Sequence, residues 1–348
     1  MAFLRNVWYP ATWASEVRHG ELFERTLLNE SIVFYRTAAG EPVALQNRCP
    51  HRFAPLSMGK QKGDAVQCPY HGLEFGASGA CVYNPHGDGK IPAAARVHSY
   101  PLAERYRLLW IWMGDPARAD VSLIPPFPFL DPETHYAGEG YLHVKSNYVL
   151  ETDNILDLSH IQFLHPFFAS EQVAKADLEM VQEGNTVWSK RLVRNEELSP
   201  FMQEAFGLGP EVRVDRWLDT RWDAPASMSL VIGVVPTGGR ARIDGKETET
   251  WSAHLFAPET DTTTHYLFSF GFPKAAGPHM EEAALKATSD VRGPFEQEDL
   301  PMLEAVQKAM GDADFWRLKP VLLPGDAPAI RARRVLDKLI EQEREGVS

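Results

Sequence analysis

The chain has 348 residues, of which 44% are apolar and 24% charged. That is the balance of a globular protein long enough for about two domains of roughly 150 residues each. Its 35 basic residues against 47 acidic ones give a net charge of −12, which disfavours phosphate backbones and anionic lipid heads as partners. Three cysteines cannot build a disulfide scaffold. No apolar run approaches the roughly 20 residues that cross a bilayer, and the N-terminus lacks a basic stretch followed by a long apolar core. A reducing cytoplasm is the expected location.

In chain order, SIVFYRT (31–37) and EPVALQNRC (41–49) flank a turn at Ala38-Ala39-Gly40, and VHSYPL (97–102) and LLWIWMG (108–114) flank Glu104 to Arg107. Both read as hairpins rich in β-branched and aromatic residues. Residues 1–115 are therefore expected to form a small all-β domain. Residues 116–140 read as a Pro-rich linker around IPPFPFLDPETH, because proline serves neither a central strand nor a helix interior. Residues 141–348 begin with a strand, YLHVKS, and a helical stretch, NYVLETDNILDLSHIQFLH. Strand-like runs follow, among them SMSLVIGVVP, ETWSAHLFAP and THYLFSFGF. A long helix is expected over 279–311 and a charged terminal helix over 328–344. The fold class is α+β, an all-β domain followed by an antiparallel sheet with helices.

Two Cys-His pairs carry the strongest signal: Cys49-Pro50-His51 and, sixteen residues on, Cys68-Pro69-Tyr70-His71. Two thiolates and two imidazoles in tight turns make a metal site. A structural zinc finger usually places both Cys before both His. The order Cys, His, Cys, His suits a Rieske-type [2Fe–2S] cluster, with Cys49 and Cys68 on one iron and His51 and His71 on the other. Such a centre passes single electrons. Cys81 reads as a small buried residue of a strand.

Downstream, Asn154, Asp157 and His160 are three apart and share one face of the expected helix. His165 lies about 140° further round a regular helix. Pro166 pushes it out of helical geometry, so it can swing back toward His160. Two His and a carboxylate from elsewhere make the facial triad of non-haem Fe(II) enzymes, which leaves positions open for O₂. The plain alternative is a capped helix end in water. An electron relay upstream requires a site that consumes electrons, which favours the iron site.

With both motifs in place, the chain resembles the oxygenase components of the Rieske non-haem iron oxygenases over nearly its whole length. It is most similar to the vanillate O-demethylase and dicamba monooxygenase group, through NVWYPA, CPHRFAPLS, CPYHGLEF and NPHGDGKIP. The resemblance implies a third iron ligand on a C-terminal helix. Asp299 in Glu298-Asp299-Leu300-Pro301 is the choice, with Glu298 and Asp290 as alternatives. Pro301 is expected to kink the helix there. The resemblance also implies that Asp157 bridges His160 and a neighbouring subunit's His71, in a head-to-tail homotrimer.

The implied reaction uses O₂ and two electrons to O-demethylate a methoxylated aromatic acid, vanillate-like, to a phenol and formaldehyde. Hydroxylation of an aryl methyl group or N-demethylation is the alternative within the same machinery. A bare Rieske electron carrier is the alternative from another class, and some 230 residues beyond position 115 speak against it. No G-x-G-x-x-G follows a strand and no Cys₄ ferredoxin module is present, so a separate NAD(P)H-dependent reductase or ferredoxin is expected to dock near His51 and His71. In the second domain, strand alternation puts His254 and Phe256 on one face, and Tyr266, Phe268 and Phe270 on another. The resemblance implies that His254 contacts substrate. It also implies an Asn contact near the place that Leu230 occupies, a departure that argues for a differently shaped ligand. Asn154 is expected beside the iron, touching substrate or tuning the metal.

Overall fold

The computed structural model describes residues 3–168, 170–239 and 248–346. The chain divides into two compact units: Met1–Pro126 with Ala257–Asp261, and Phe127–Phe256 with Thr262–Ser348.

Among the described residues, the first unit is built of three antiparallel sheets. One runs Trp8–Trp13, Leu108–Trp112, Leu102–Arg105; a second runs Phe23–Leu27, Glu30–Arg36, Pro42–Gln46, Ser99–Tyr100. In the strand Glu30–Arg36, Ile32 and Phe34 enter one apolar core while Val33 and Tyr35 enter another. A strand buried on both faces reads as a continuous apolar run rather than an alternating one, which explains the SIVFY stretch. The third sheet runs Lys60–Lys62, Ala65–Gln67, Glu74–Gly76, Cys81–Tyr83. It shares its core with Cys49, Cys68 and Cys81.

The second unit carries an antiparallel sheet of eight strands among the described residues. Its order is His135–Ala137, Thr264–Pro273, Thr248–Pro258, Ser227–Pro236, Val214–Asp223, Thr186–Glu196, Asp177–Glu183, and Gly140–Val144 also pairs with Thr264–Pro273. Glycines mark where rings and main chain press closest. A Cβ on Gly233 would stand 2.0 Å from the Trp217 ring, and one on Gly271 would stand 1.9 Å from the Phe129 carbonyl oxygen. The helices are α1 (Tyr148–Leu156), α2 (Ile161–Leu164), α3 (Pro200–Ala205), α4 (Met280–Pro294), α5 (Leu300–Met310) and α6 (Ala327–Glu345). No described helix is long and apolar enough to cross a membrane.

Two expected helices are interrupted, and both breaks lie at the site described below. The stretch 151–160 is not one helix. α1 stops at Leu156, Asp157 leaves helical geometry at φ −113° and ψ 85°, and its carboxylate accepts from the Ser159 N–H to start a short 3-10 turn, Leu158–His160. Asp side chains compete with helical hydrogen bonds in this way. The stretch 279–311 is split into α4, a π-helical turn over Phe295–Asp299, and α5. Pro301 has no N–H and its ring crowds the carbonyl four residues back. The wider turn lets the Leu300 N–H reach the Phe295 carbonyl, five residues back. The kink expected from Pro301 takes this form.

Candidate metal centres

The two Cys-His segments fold into matching loops. The Cys49 N–H donates to the Ala54 carbonyl and the Phe53 N–H to the Cys49 carbonyl; the Cys68 N–H donates to the Leu73 carbonyl and the Gly72 N–H to the Cys68 carbonyl. The fifth residue of each loop takes a left-handed φ: 61° at Phe53 and 73° at Gly72. Phe53 holds this conformation without glycine's freedom, a cost typical of backbone bent around a functional group. Cys49 and Cys68 sit in the core, and burial pushes the Cys49 thiol up to about 11. The imidazoles of His51 and His71 lie 4.5 Å apart, centre to centre. His71 Nδ1 is buried without a hydrogen-bond partner. Two thiols and two imidazoles, one with an orphaned nitrogen, are the donor set a Rieske cluster takes. His86 Nε2 meets the His71 carbonyl oxygen at 2.8 Å and pins the loop from behind.

In the second unit, His160, His165 and Asp299 offer ligand atoms that all lie within 4.8 Å of one another. His160 Nε2 is 3.6 Å from Asp299 Oδ1, and His165 Nε2 is 3.0 Å from Asp299 Oδ2. His165 Nε2 is nonetheless buried with no aligned hydrogen bond. That contact without alignment fits two ligands facing a common ion. The other ring nitrogen of each His is occupied. His160 Nδ1–H donates to the Asp157 main-chain carbonyl at 2.8 Å, and His165 Nδ1 bonds the Glu298 carboxylate. Such outer partners set the tautomer and aim Nε2 at a metal. Burial lowers the pKa of His160, with Asp299 working against it. Burial also lowers that of His165, but Asp299 and Glu298 more than offset it and the net shift is upward. A dication held by the two rings and the carboxylate would take the place of that proton.

Of the carboxylates weighed from sequence, the structure brings Asp299 to both imidazoles. Glu298 lies behind His165, and Asp290 pairs with Lys286 on an exposed helix face. Asn154 Nδ2 donates to Asp299 Oδ1 at 3.1 Å, tying α1 to the π turn. Asp157 differs from expectation on the His160 side. Its main-chain oxygen holds the ring, while its carboxylate accepts from Arg191 Nη2 at 2.8 Å, the Ser159 N–H at 3.0 Å and Ser159 Oγ at 2.9 Å. The reason is local: once α1 stops at Leu156, the side chain is committed to capping the next turn. Sequence reasoning missed Arg191, which is 3% exposed. Its signal was a lone cation among Val187, Ser189 and Val193 on one buried strand face.

His254 and Leu230 lie on the sheet beneath this site. His254 is buried, its ring stacked beside Tyr266. Leu230 packs with Leu158 and Ile161, under the segment that bears the two His. Phe295, from the π turn, covers His254, Tyr266 and Phe268 at ring distances of 5.9, 5.6 and 5.3 Å. Phe295 was also missed, because only the π turn aims it at the sheet. The wall is aromatic with a few placed polar atoms, the usual make-up of a small-molecule site.

Comparison with known proteins agrees with both halves. Residues 7–101 match the model of the Rieske [2Fe-2S] domain, and residues 144–342 that of the vanillate O-demethylase oxygenase C-terminal domain. The oxygenase component of chloroacetanilide N-alkylformylase from Rhizorhabdus wittichii is 38% identical over 98% of this chain and 97% of its own. The oxygenase component of dicamba O-demethylase from Stenotrophomonas maltophilia is 35% identical over 99% of each chain. The crystal structure of dicamba monooxygenase bound to 3,6 dichlorosalicylic acid superposes with a TM-score of 0.89, at 34% identity and 99% coverage of both chains.

Proposed function

The chain belongs to the Rieske non-haem iron oxygenases, as an oxygenase component of the vanillate and dicamba O-demethylase type, and from that premise we propose that it O-demethylates a methoxylated aromatic compound to a phenol and formaldehyde. The observation that carries the proposal is the convergence of His160, His165 and Asp299 in one unit, with two Cys-His loops in the other.

Cys49, His51, Cys68 and His71 would hold the [2Fe–2S] cluster, and His160, His165 and Asp299 the mononuclear iron. When bound, the cluster supplies single electrons and the iron supplies O₂ activation. The chain does the rest. The Asp157 carbonyl and Glu298 fix the two imidazoles, and Asn154 fixes Asp299. The sheet under Phe295 lays the substrate ring against aromatic side chains, where water is excluded. One atom of O₂ enters a methyl C–H bond and the other leaves as water, using the two delivered electrons and two protons; the resulting hemiacetal then breaks its O–CH₂ bond to give the phenol and formaldehyde.

Asp157 is the relay between centres, and it works in a head-to-tail homotrimer in which the next subunit's His71 loop approaches it. A separate NAD(P)H-dependent reductase or ferredoxin delivers electrons near His51 and His71. N-dealkylation is the second reading, favoured by the 38% identity to chloroacetanilide N-alkylformylase. Purified holoenzyme, a surrogate reductase, O₂ and a panel of methoxy- and N-alkyl-aromatics test the proposal. Formaldehyde release matched to a new phenol is the expected result. No release from any methoxy compound defeats the O-demethylase reading.

A further inference from the structure

One guanidinium reaches both ends of the stretch that bears the two imidazoles of the mononuclear site. Arg191 lies buried on the strand Thr186–Glu196. Its Nη2 donates to Asp157 Oδ1 at 2.8 Å and its Nη1 to the Val173 carbonyl at 2.9 Å. Residues 157 and 173 bracket His160 and His165. Ser189 shares the strand face of Arg191, and its Oγ donates to the Leu156 carbonyl at 2.8 Å, where α1 stops. Two neighbouring positions on one face therefore hold the end of the helix and the carboxylate that caps the next turn.

Stability is a weak reason for a cation here. Replacing a buried ion pair by apolar groups of similar volume is often neutral, and Arg191 Nε is buried with no hydrogen-bond partner. What the pair fixes is the orientation of a carboxylate. Oδ1 accepts from Arg191 Nη2 and from the Ser159 N–H, which occupies both of its lone pairs. Among the described residues, Oδ2 accepts from Ser159 Oγ alone. The 3-10 turn Pro324–Asp326 closes over the same group, so near that a Cβ on Gly325 would stand 3.0 Å from Oδ2. The Asp157 side chain is still 24% exposed, which leaves it open to a donor from outside the subunit.

We infer that Arg191 is a positioning residue for electron transfer between the two centres: its fork fixes Asp157 so that Oδ2 is the acceptor left for an N–H of the partner subunit's His71. This rests on the reading of Asp157 as the relay. Lysine is a poor substitute, since a single ammonium lacks the planar fork that meets two acceptors at once.

The test follows one electron through the holoenzyme. With the mononuclear iron oxidised to Fe(III), a flash reduces the cluster through photoreduced deazaflavin, at less than one electron per chain. The cluster then passes that electron to Fe(III), giving Fe(II); the visible band of the cluster recovers as the Fe(III) EPR signal falls. Arg191→Met should slow this recovery about tenfold or more, because losing a charge-assisted bond lowers the share of aligned carboxylate by that factor. Arg191→Lys should fall between Met and wild type. Arg191→Met joined to Asp157→Asn should match Asp157→Asn alone within about twofold, whereas a merely structural arginine would multiply the two losses. Ser189 and Ser159 still hold the turn, so iron retained against a graded chelator and the EPR spectrum of the cluster should match wild type. A wild-type rate in Arg191→Met with Asp157→Asn slow, multiplied losses in the double variant, or iron lost from Arg191→Met overturns the inference alone. If the Met variant does not fold, a wild-type rate in Arg191→Lys overturns it, and an intermediate rate that Asp157→Asn abolishes supports it. Wild-type transfer in Asp157→Asn, or no transfer in wild type, overturns the relay and the inference with it.

Discussion

Replacing Glu298 isolates the support behind the mononuclear site. Glu298 bonds His165 Nδ1 while Asp299, its neighbour in the chain, faces Nε2 of the same ring. Removing an outer partner of a ligating His typically lowers metal affinity about 10- to 100-fold. Glu298→Gln keeps an oxygen that accepts from Nδ1–H and loses only charge. The Glu298 side chain is 33% exposed, so solvent screens part of that charge. The expected loss is therefore near the lower end, about tenfold or ~1.4 kcal/mol. Glu298→Ala loses the bond as well and frees the ring, so the loss rises toward about 100-fold, ~2.7 kcal/mol. The assay is iron retained against a graded chelator, with the Rieske signal of the same sample as internal standard. Iron retention equal to wild type in Glu298→Ala, or parallel loss of the Rieske signal, refutes the reasoning.

Asp157→Asn is expected to keep both metal sites filled while most turnover is lost; full turnover in a variant with wild-type iron content would refute the relay. Gly233→Ala places a methyl group 2.0 Å from the Trp217 ring, and overpacking of this kind costs about 1–3 kcal/mol, read as a lower urea midpoint. A midpoint equal to wild type would show that the ring has room to move. Glu151 is buried, bonded by Ser146, and its pKa is pushed up to about 8 by burial, from 4.5 in an unfolded chain. The folded chain then holds a proton that the unfolded chain has lost, so this stability is full below pH 4.5 and is lost as pH rises to about 8. Glu151→Gln should flatten that decline in urea titrations between pH 5 and 8, and an unchanged slope counts against the assignment.

Much of the metal chemistry was legible in the sequence because it is local. Cys49-Pro50-His51 and Cys68-Pro69-Tyr70-His71 are short turns in which residue type and spacing leave few choices of ion. His160, His165 and Pro166 lie close enough for helical arithmetic to bring the two rings together. That arithmetic assumed an unbroken helix, whereas α1 stops at Leu156 and Asp157 turns its carboxylate to Ser159 and Arg191. The error was to count Asp157 as a helical residue and not as a cap.

What the sequence determined by itself was the kind of centre and the type of each half, since ligand chemistry and strand and helix periods depend on neighbours a few residues away. Only the tertiary structure decided which of Asp290, Glu298 and Asp299 meets the two imidazoles, because three carboxyls within ten residues look alike until the π turn before Pro301 sets their angles. It alone also brought the polar groups of the wall together. A row of hydrogen-bonded groups from Tyr266 through His254 and Ser252 to the Leu230 carbonyl crosses three strands, and their meeting follows from sheet register, which no local window of residues contains.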